Sequence, residues 1–225
     1  MLNSLELTGR SDSHVREVPE LACTLERETA ASVLTMVEAA RADGIDLAIV
    51  SSYRDFERQV GIWNGKYCGE RPLLDRNGAR LDAATLDDDG RVDAILLWSA
   101  LPGASRHHWG TDIDVVDRAA IAPGFHPQLT QSEFAPEGPF ARLNAWLGQN
   151  LRRFGFFRPY STDRGGVQPE PWHLSFAPVA SRALAGLTRE VLADAVFGSR
   201  MLGRERVLAR LPELYERYVR AIDPP

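Results

Sequence analysis

The stretch Ser105-Arg-His-His-Trp-Gly-Thr-Asp-Ile-Asp-Val-Val116 holds a polar loop, a glycine and then a short alternation of aliphatic and acidic residues. Ile113-Asp-Val-Val116 reads as a strand, and Gly110 is free to make the turn that leads into it. Just upstream, Val92, Ile95 and Leu96 recur at helical spacing, and Pro102-Gly103 brings that helix to an end. Working outward, Val33, Leu34, Val37 and Ala40 mark a helix over about residues 25–41, with Gly44 as its stop. Asp46-Leu-Ala-Ile-Val-Ser51 follows as a buried strand, and Asp55 caps a helix carrying Phe56, Val60 and Trp63 on one face.

Downstream, a loop with Pro123-Gly124, Pro127 and Pro136 leads to a helix marked by Phe140, Leu143, Leu147 and Leu151. Strands are expected around Gly155-Phe-Phe157 and Trp172-His-Leu-Ser-Phe176, and helices around Leu184, Leu187, Val191, Val207, Leu211 and Tyr215. Residues 68–91 are rich in Gly, Asp and Arg without sustained period, and read as a long surface loop or a partly ordered insertion, of the kind that often borders a cleft. Helices and short strands mix without regular βαβ alternation, and neither GxGxxG nor a P-loop is present. The expected fold class is therefore α+β, a small central antiparallel sheet flanked by helices. A single domain over 1–225 is expected, with a core over about 25–178 and C-terminal helices over about 179–222.

The 225 residues are 44% hydrophobic and 25% charged, enough to bury a core. With 26 Lys and Arg against 31 Asp and Glu, the net charge is −5, and no basic run gathers anywhere. That balance argues against nucleic acid or an anionic membrane as partner. Apolar runs such as Ala94 to Trp98 are too short to span a bilayer, and Asn3, Glu6 and Arg10 stand where a secretory apolar region would lie. A cytoplasmic location is expected on that basis, with the periplasm or cell envelope as the alternative. Cys23 and Cys68 read as two unpaired thiols.

Three of the five histidines, His107, His108 and His173, fall in the stretches Ser105–Asp114 and Glu170-Pro-Trp-His173. A catalytic zinc takes three protein ligands and leaves a position for water, and His107, Asp114 and His173 are of the right types to supply them. Glu170 precedes His173 by one stiff Pro171-containing turn, as suits a carboxylate held beside a metal as general base. Arg54 follows a strand directly, where a guanidinium can pair a substrate carboxylate bidentately, or can instead bridge to Glu57. Trp109 and Trp172 can wall a cleft or pack in the core.

Together these segments resemble the Ser-x-His-x-x-Gly-x-x-x-Asp and Glu-x-Trp-His signatures of the zinc D-alanyl-D-alanine carboxypeptidases, the VanY-like peptidases. Ser51-Ser-Tyr-Arg-Asp-Phe-Glu-Arg-Gln59 resembles a third signature of that family. The resemblance implies His107, Asp114 and His173 as zinc ligands, Glu170 as catalytic base, and Arg54, Ser105 and Gln59 as substrate contacts. The implied partner is a peptidoglycan-type peptide with a free C-terminal carboxylate, from which D-Ala is removed. Endopeptidases or dipeptidases of the same superfamily, and a metal-stabilised module that binds without cutting, are the alternatives. The chain departs from the pattern at Asp112, where the family has a small residue, often Ala. If the strand already begins there, Asp112 and Asp114 share a face. His108 competes with His107, and the offset to Asp114 favours His107.

Overall fold

The computed structural model describes residues 1–225. Its helices are α1 (Ser4–Leu7), α2 (Arg27–Ala42), α3 (Phe56–Tyr67), α4 (Asp88–Leu96), α5 (Ala141–Asn150), α6 (Ala177–Gly186), α7 (Arg189–Phe197) and α8 (Arg204–Tyr215). Its strands are β1 (Val15–Val18), β2 (Cys23–Glu26), β3 (Leu47–Ser51), β4 (Leu73–Leu74), β5 (Arg80–Leu81), β6 (Asp112–Asp117), β7 (Phe156–Phe157) and β8 (His173–Phe176). The centre is a four-stranded antiparallel sheet in the order β3-β6-β8-β7, which bears out the α+β expectation.

Register across this sheet sets up everything that follows. Asp114 stands opposite both Ser51 and His173, and Asp112 stands opposite Ser175. Because side chains alternate along a strand, Asp112, Asp114, His173 and Ser175 share one face, and Ile113, Val115 and Leu174 the other. On the aliphatic face α2 lays down Val33, Met36 and Val37, all in one core with Ile113, Val115, Leu174 and Phe140. Each fully buried side chain of this size contributes roughly 1.5–3 kcal/mol. α2 starts where the Glu26 carboxylate accepts from the amides of Glu28 and Thr29, and stops before Gly44, whose φ is +75°. A second core joins α3, α4 and α6–α8 through Trp63, Ile95, Ala180, Leu192, Val196, Val207 and Leu214.

Three segments differ from the sequence reading or go beyond it. Residues 68–91 follow the ordered alternative: they form the β4-β5 hairpin and the start of α4. The hairpin turn is held by the Asp75 carboxylate, which accepts from the amides of Asn77 and Ala79, and Asp87 caps α4 at Gly90 N–H. β3 is an edge strand, with Val50 half exposed where the aliphatic run reads as buried. Residues 1–24, given no element from sequence, and residues 25–26, expected to open α2, carry α1 and the β1-β2 hairpin. Both cysteines are free thiols, and no helix is long and apolar enough to cross a membrane.

Candidate metal centre and cleft

Residues 106–109 form a single 3-10 turn after Ser105, ended by Gly110 at φ +66°. A Cβ on Gly110 would lie 2.5 Å from Val15 Cγ1 and 2.8 Å from Glu26 N, so only glycine fits between the turn and the N-terminal hairpin. The hairpin side holds on firmly. Glu26 N–H donates to Gly110 O at 2.9 Å, Trp109 Nε1–H to Leu7 O at 3.0 Å, and His14 Nε2–H to His108 O at 2.9 Å.

Within that turn His107 donates Nδ1–H to the Ser52 carbonyl at 2.9 Å, which leaves Nε2 without a proton, 3.3 Å from Asp114 Oδ2. His173 Nδ1 lies 3.0 Å from Asp114 Oδ1, and donor atoms of His107, Asp114 and His173 all fall within 4.8 Å of one another. The three residues are buried, at 6%, 7% and 4% exposure. Glu170 Oε2 is 3.7 Å from His173 Nδ1, held by a turn in which His173 N–H donates to Glu170 O and Glu170 N–H to Tyr160 O.

This donor set fits zinc. Donors on a tetrahedral zinc with bonds of about 2.0–2.1 Å lie about 3.3 Å apart, close to the 3.3 and 3.0 Å seen around Asp114. Each imidazole spends its other nitrogen on an oxygen, His107 on the Ser52 carbonyl and His173 on the Asp112 carboxylate. The electrostatics agree. Burial opposes charge on His173, yet its hydrogen bonds to Asp112 and Asp114 push it up to about 10, and a field that favours a proton there favours a cation. Against the cost of burial, His107 and His173 hold the Asp114 carboxyl well below the usual carboxylate range. Burial lifts Glu170 to about 7, with the Asp114 charge adding to the rise.

The donors open on a cleft of about 270 Å³ lined by Arg54, Lys66, Ser105, Tyr160, Glu170 and Trp172 among others. The sequence reading placed Arg54 either here or in a bridge to Glu57. It stands in the cleft, donating from Nη1 to Gln59 Oε1 at 2.7 Å and from Nη2 to Ser51 Oγ at 3.1 Å, with Nε unpartnered. Gln59 departs from the expectation of a substrate contact. It is fully buried behind Arg54, and its amide nitrogen donates to Ala100 O at 2.7 Å. Trp172 lines the cleft, whereas Trp109 lies in the core. His108 is excluded as a donor: Nδ1–H donates to Arg54 O, Nε2 accepts from Gly103 N–H, and burial pulls it down to about 3.

Sequence reasoning missed Lys66, Tyr160 and Arg106. Lys66 was recoverable, since it continues the Gln59–Trp63 face of α3 at helical spacing. Burial lowers its ammonium to about 8, although the Glu170 charge pulls it back up. Tyr160 sits in irregular chain, 5.1 Å from the His173 ring centroid, and carried no local signal.

The VanY family model, described as D-alanyl-D-alanine carboxypeptidase, matches residues 22–179. A D-alanyl-D-alanine carboxypeptidase of Enterococcus faecalis is 29% identical over 147 residues, covering 64% of this chain and 45% of the relative. The solved structure of VanYB in complex with D-alanine-D-alanine superposes with a TM-score of 0.52 at 24% identity, covering 85% of this chain and 92% of that one. A mutant of the D,D-pentapeptidase VanY from the VanB-type resistance cassette, in complex with Zn(II), gives 0.52 at 25% identity, over 79% of this chain and 88% of that one. From the start of the N-terminal hairpin's second strand to the first turn of α6, this chain belongs to the VanY family of D-alanyl-D-alanine carboxypeptidases.

Proposed function

We propose that the protein is a zinc-dependent carboxypeptidase that releases a C-terminal D-Ala from peptidoglycan-type peptides. The observation that carries this reading is the convergence of His107, Asp114 and His173 within 4.8 Å at the floor of a cleft that also holds Glu170. The VanY relative solved with Zn(II) and the one solved with D-alanine-D-alanine support the choice of metal and substrate. Zinc bound by these three residues supplies Lewis-acid polarisation of the scissile carbonyl and lowers the pKa of water.

The chain's own residues do the rest. Glu170 is not one of the converging donors, yet its carboxylate reaches the same space. It takes the proton of the attacking water as the water oxygen bonds to the carbonyl carbon, and delivers that proton to the leaving amine as the C–N bond breaks. The products are the shortened peptide acid and free D-alanine. Arg54, pre-oriented by Ser51 and Gln59, pairs with the substrate's terminal carboxylate, and Ser105 borders the same subsite.

The test is a set of peptides ending in D-Ala-D-Ala, in the L-Ala counterpart and in a D-Ala-D-Ala amide. Release of D-Ala from the first alone, lost with a chelator and restored by zinc, is the expected result. Equal cleavage of the amide would replace this reading with an endopeptidase.

A further inference from the structure

We propose that Asp112 is a positioning residue for the metal centre, one that fixes the tautomer and ring orientation of His173 so that Nδ1 presents its lone pair to the metal. The inference rests on the reading that His107, Asp114 and His173 hold zinc. Asp112 is fully buried, and its carboxylate is not among the converging donors. Oδ1 lies 3.0 Å from His173 Nε2, on the far side of the ring from Nδ1. An ionised carboxylate only accepts, so Asp112 keeps the proton on Nε2, and the proton that Nδ1 shares with Asp114 is the one a cation displaces.

Asp112 is itself held from two other directions. Arg106 donates from Nε to Oδ1 at 2.8 Å, and Thr111 donates its hydroxyl to Oδ2 at 2.6 Å. Arg106 reaches across to Ser175 Oγ at 2.5 Å, and its guanidinium lies 4.8 Å from the Trp109 ring and 5.7 Å from that of Phe157. Arg106 balances the negative charge that Asp112 adds next to Asp114, so the extra carboxylate does not need the metal as its counter-charge. Sheet register makes the arrangement rigid: Asp112 and Ser175 face each other on β6 and β8, one row along from Asp114 and His173. The departure at position 112 is thus a clamp behind one ligand.

Zinc affinity, measured by competition with a chromophoric chelator, tests this on wild type, Asp112→Ala, Asp112→Asn and His173→Ala, alongside thermal unfolding of each zinc-free protein. Asp112→Ala should weaken zinc binding about 10- to 100-fold. Asp112→Asn keeps an acceptor and the side-chain shape, so it should fold and lose less. In the zinc-saturated wild type, a slowly exchanging imidazole N–H proton should be present, absent in His173→Ala, and lost in Asp112→Ala. Folded Asp112 variants with wild-type affinity and an unchanged proton signal would overturn the clamp. A wild-type chain without zinc affinity would instead overturn the metal reading itself.

Discussion

Gln59 accepts from the Arg54 guanidinium at 2.7 Å while its own amide nitrogen is tied to the Ala100 carbonyl, so a fully buried residue sets the aim of a cleft residue. Gln59→Ala should leave the zinc content unchanged and raise KM for free-acid peptides. A hydrogen bond to a charged group is worth about 1.5–3 kcal/mol, which sets the loss at about 10- to 100-fold in kcat/KM. Gln59→Glu should do more harm, because it gives Arg54 a carboxylate that competes with the substrate's. Steady-state kinetics with metal analysis decide it, and wild-type KM in both variants would free Gln59 of this role.

Glu170→Gln separates binding from chemistry. Glu170 lies beside the converging donors and is not one of them, so the variant should keep its metal. Turnover should fall by about 10²- to 10⁴-fold with the base removed. Mass-spectrometric metal counting paired with D-Ala release measures both, and loss of metal would make Glu170 a ligand.

For Arg54 the informative comparison is between substrates. Amidating the peptide terminus takes away the charge that the guanidinium pairs with, at a cost of about 2 to 5 kcal/mol. Arg54→Ala should therefore slow the free acid strongly while shrinking the gap between acid and amide. A gap of unchanged size in the variant would return Arg54 to a structural role.

Lys66 gives a pH signature. Its ammonium is lowered to about 8 by burial, so it is charged at pH 7 and loses its proton as the pH rises through 8. The cleft then goes from three cationic side chains, Arg54, Lys66 and Arg106, to two, of which Arg106 is already paired with Asp112, and KM for free-acid peptides should climb on the alkaline side. Lys66→Met should start from a higher KM at pH 7 and lack the climb near 8. An identical KM profile from pH 6.5 to 9.5 in the variant would refute the assignment.

The parts of the fold that could be read from sequence are those stabilised by local pattern. The spacing of Val33, Val37 and Ala40 in α2, and the aliphatic runs of β3 and β6, announce themselves. The β4-β5 hairpin has two residues per strand, too few for any period to show, and its turn is closed by backbone bonds and the carboxylate of one residue, Asp75. β1 and β2 pair with each other, and the hairpin they make is docked by residues distant in sequence. Glu26 bonds to Gly110 and His14 to His108, partners that no window of neighbouring residues contains. At the site, the convergence of His107, Asp114 and His173 was legible because the spacing of the two stretches that carry them matches a family signature. The direction of Gln59 was not, since a helix position does not say which way a long amide turns. The network around Asp112 closes through Ser175, 69 residues beyond Arg106, so only the sheet register reveals it.

The joint at Gly110 ties the N-terminal segment to the turn that carries His107. Residues before 22 lie outside the family match, yet Leu7, His14 and Val15 grip the turn that carries His107. A pull, a bulky fusion or a proteolytic cut at the amino end should therefore act on His107 before it acts on Asp114 and His173, which are braced within the sheet.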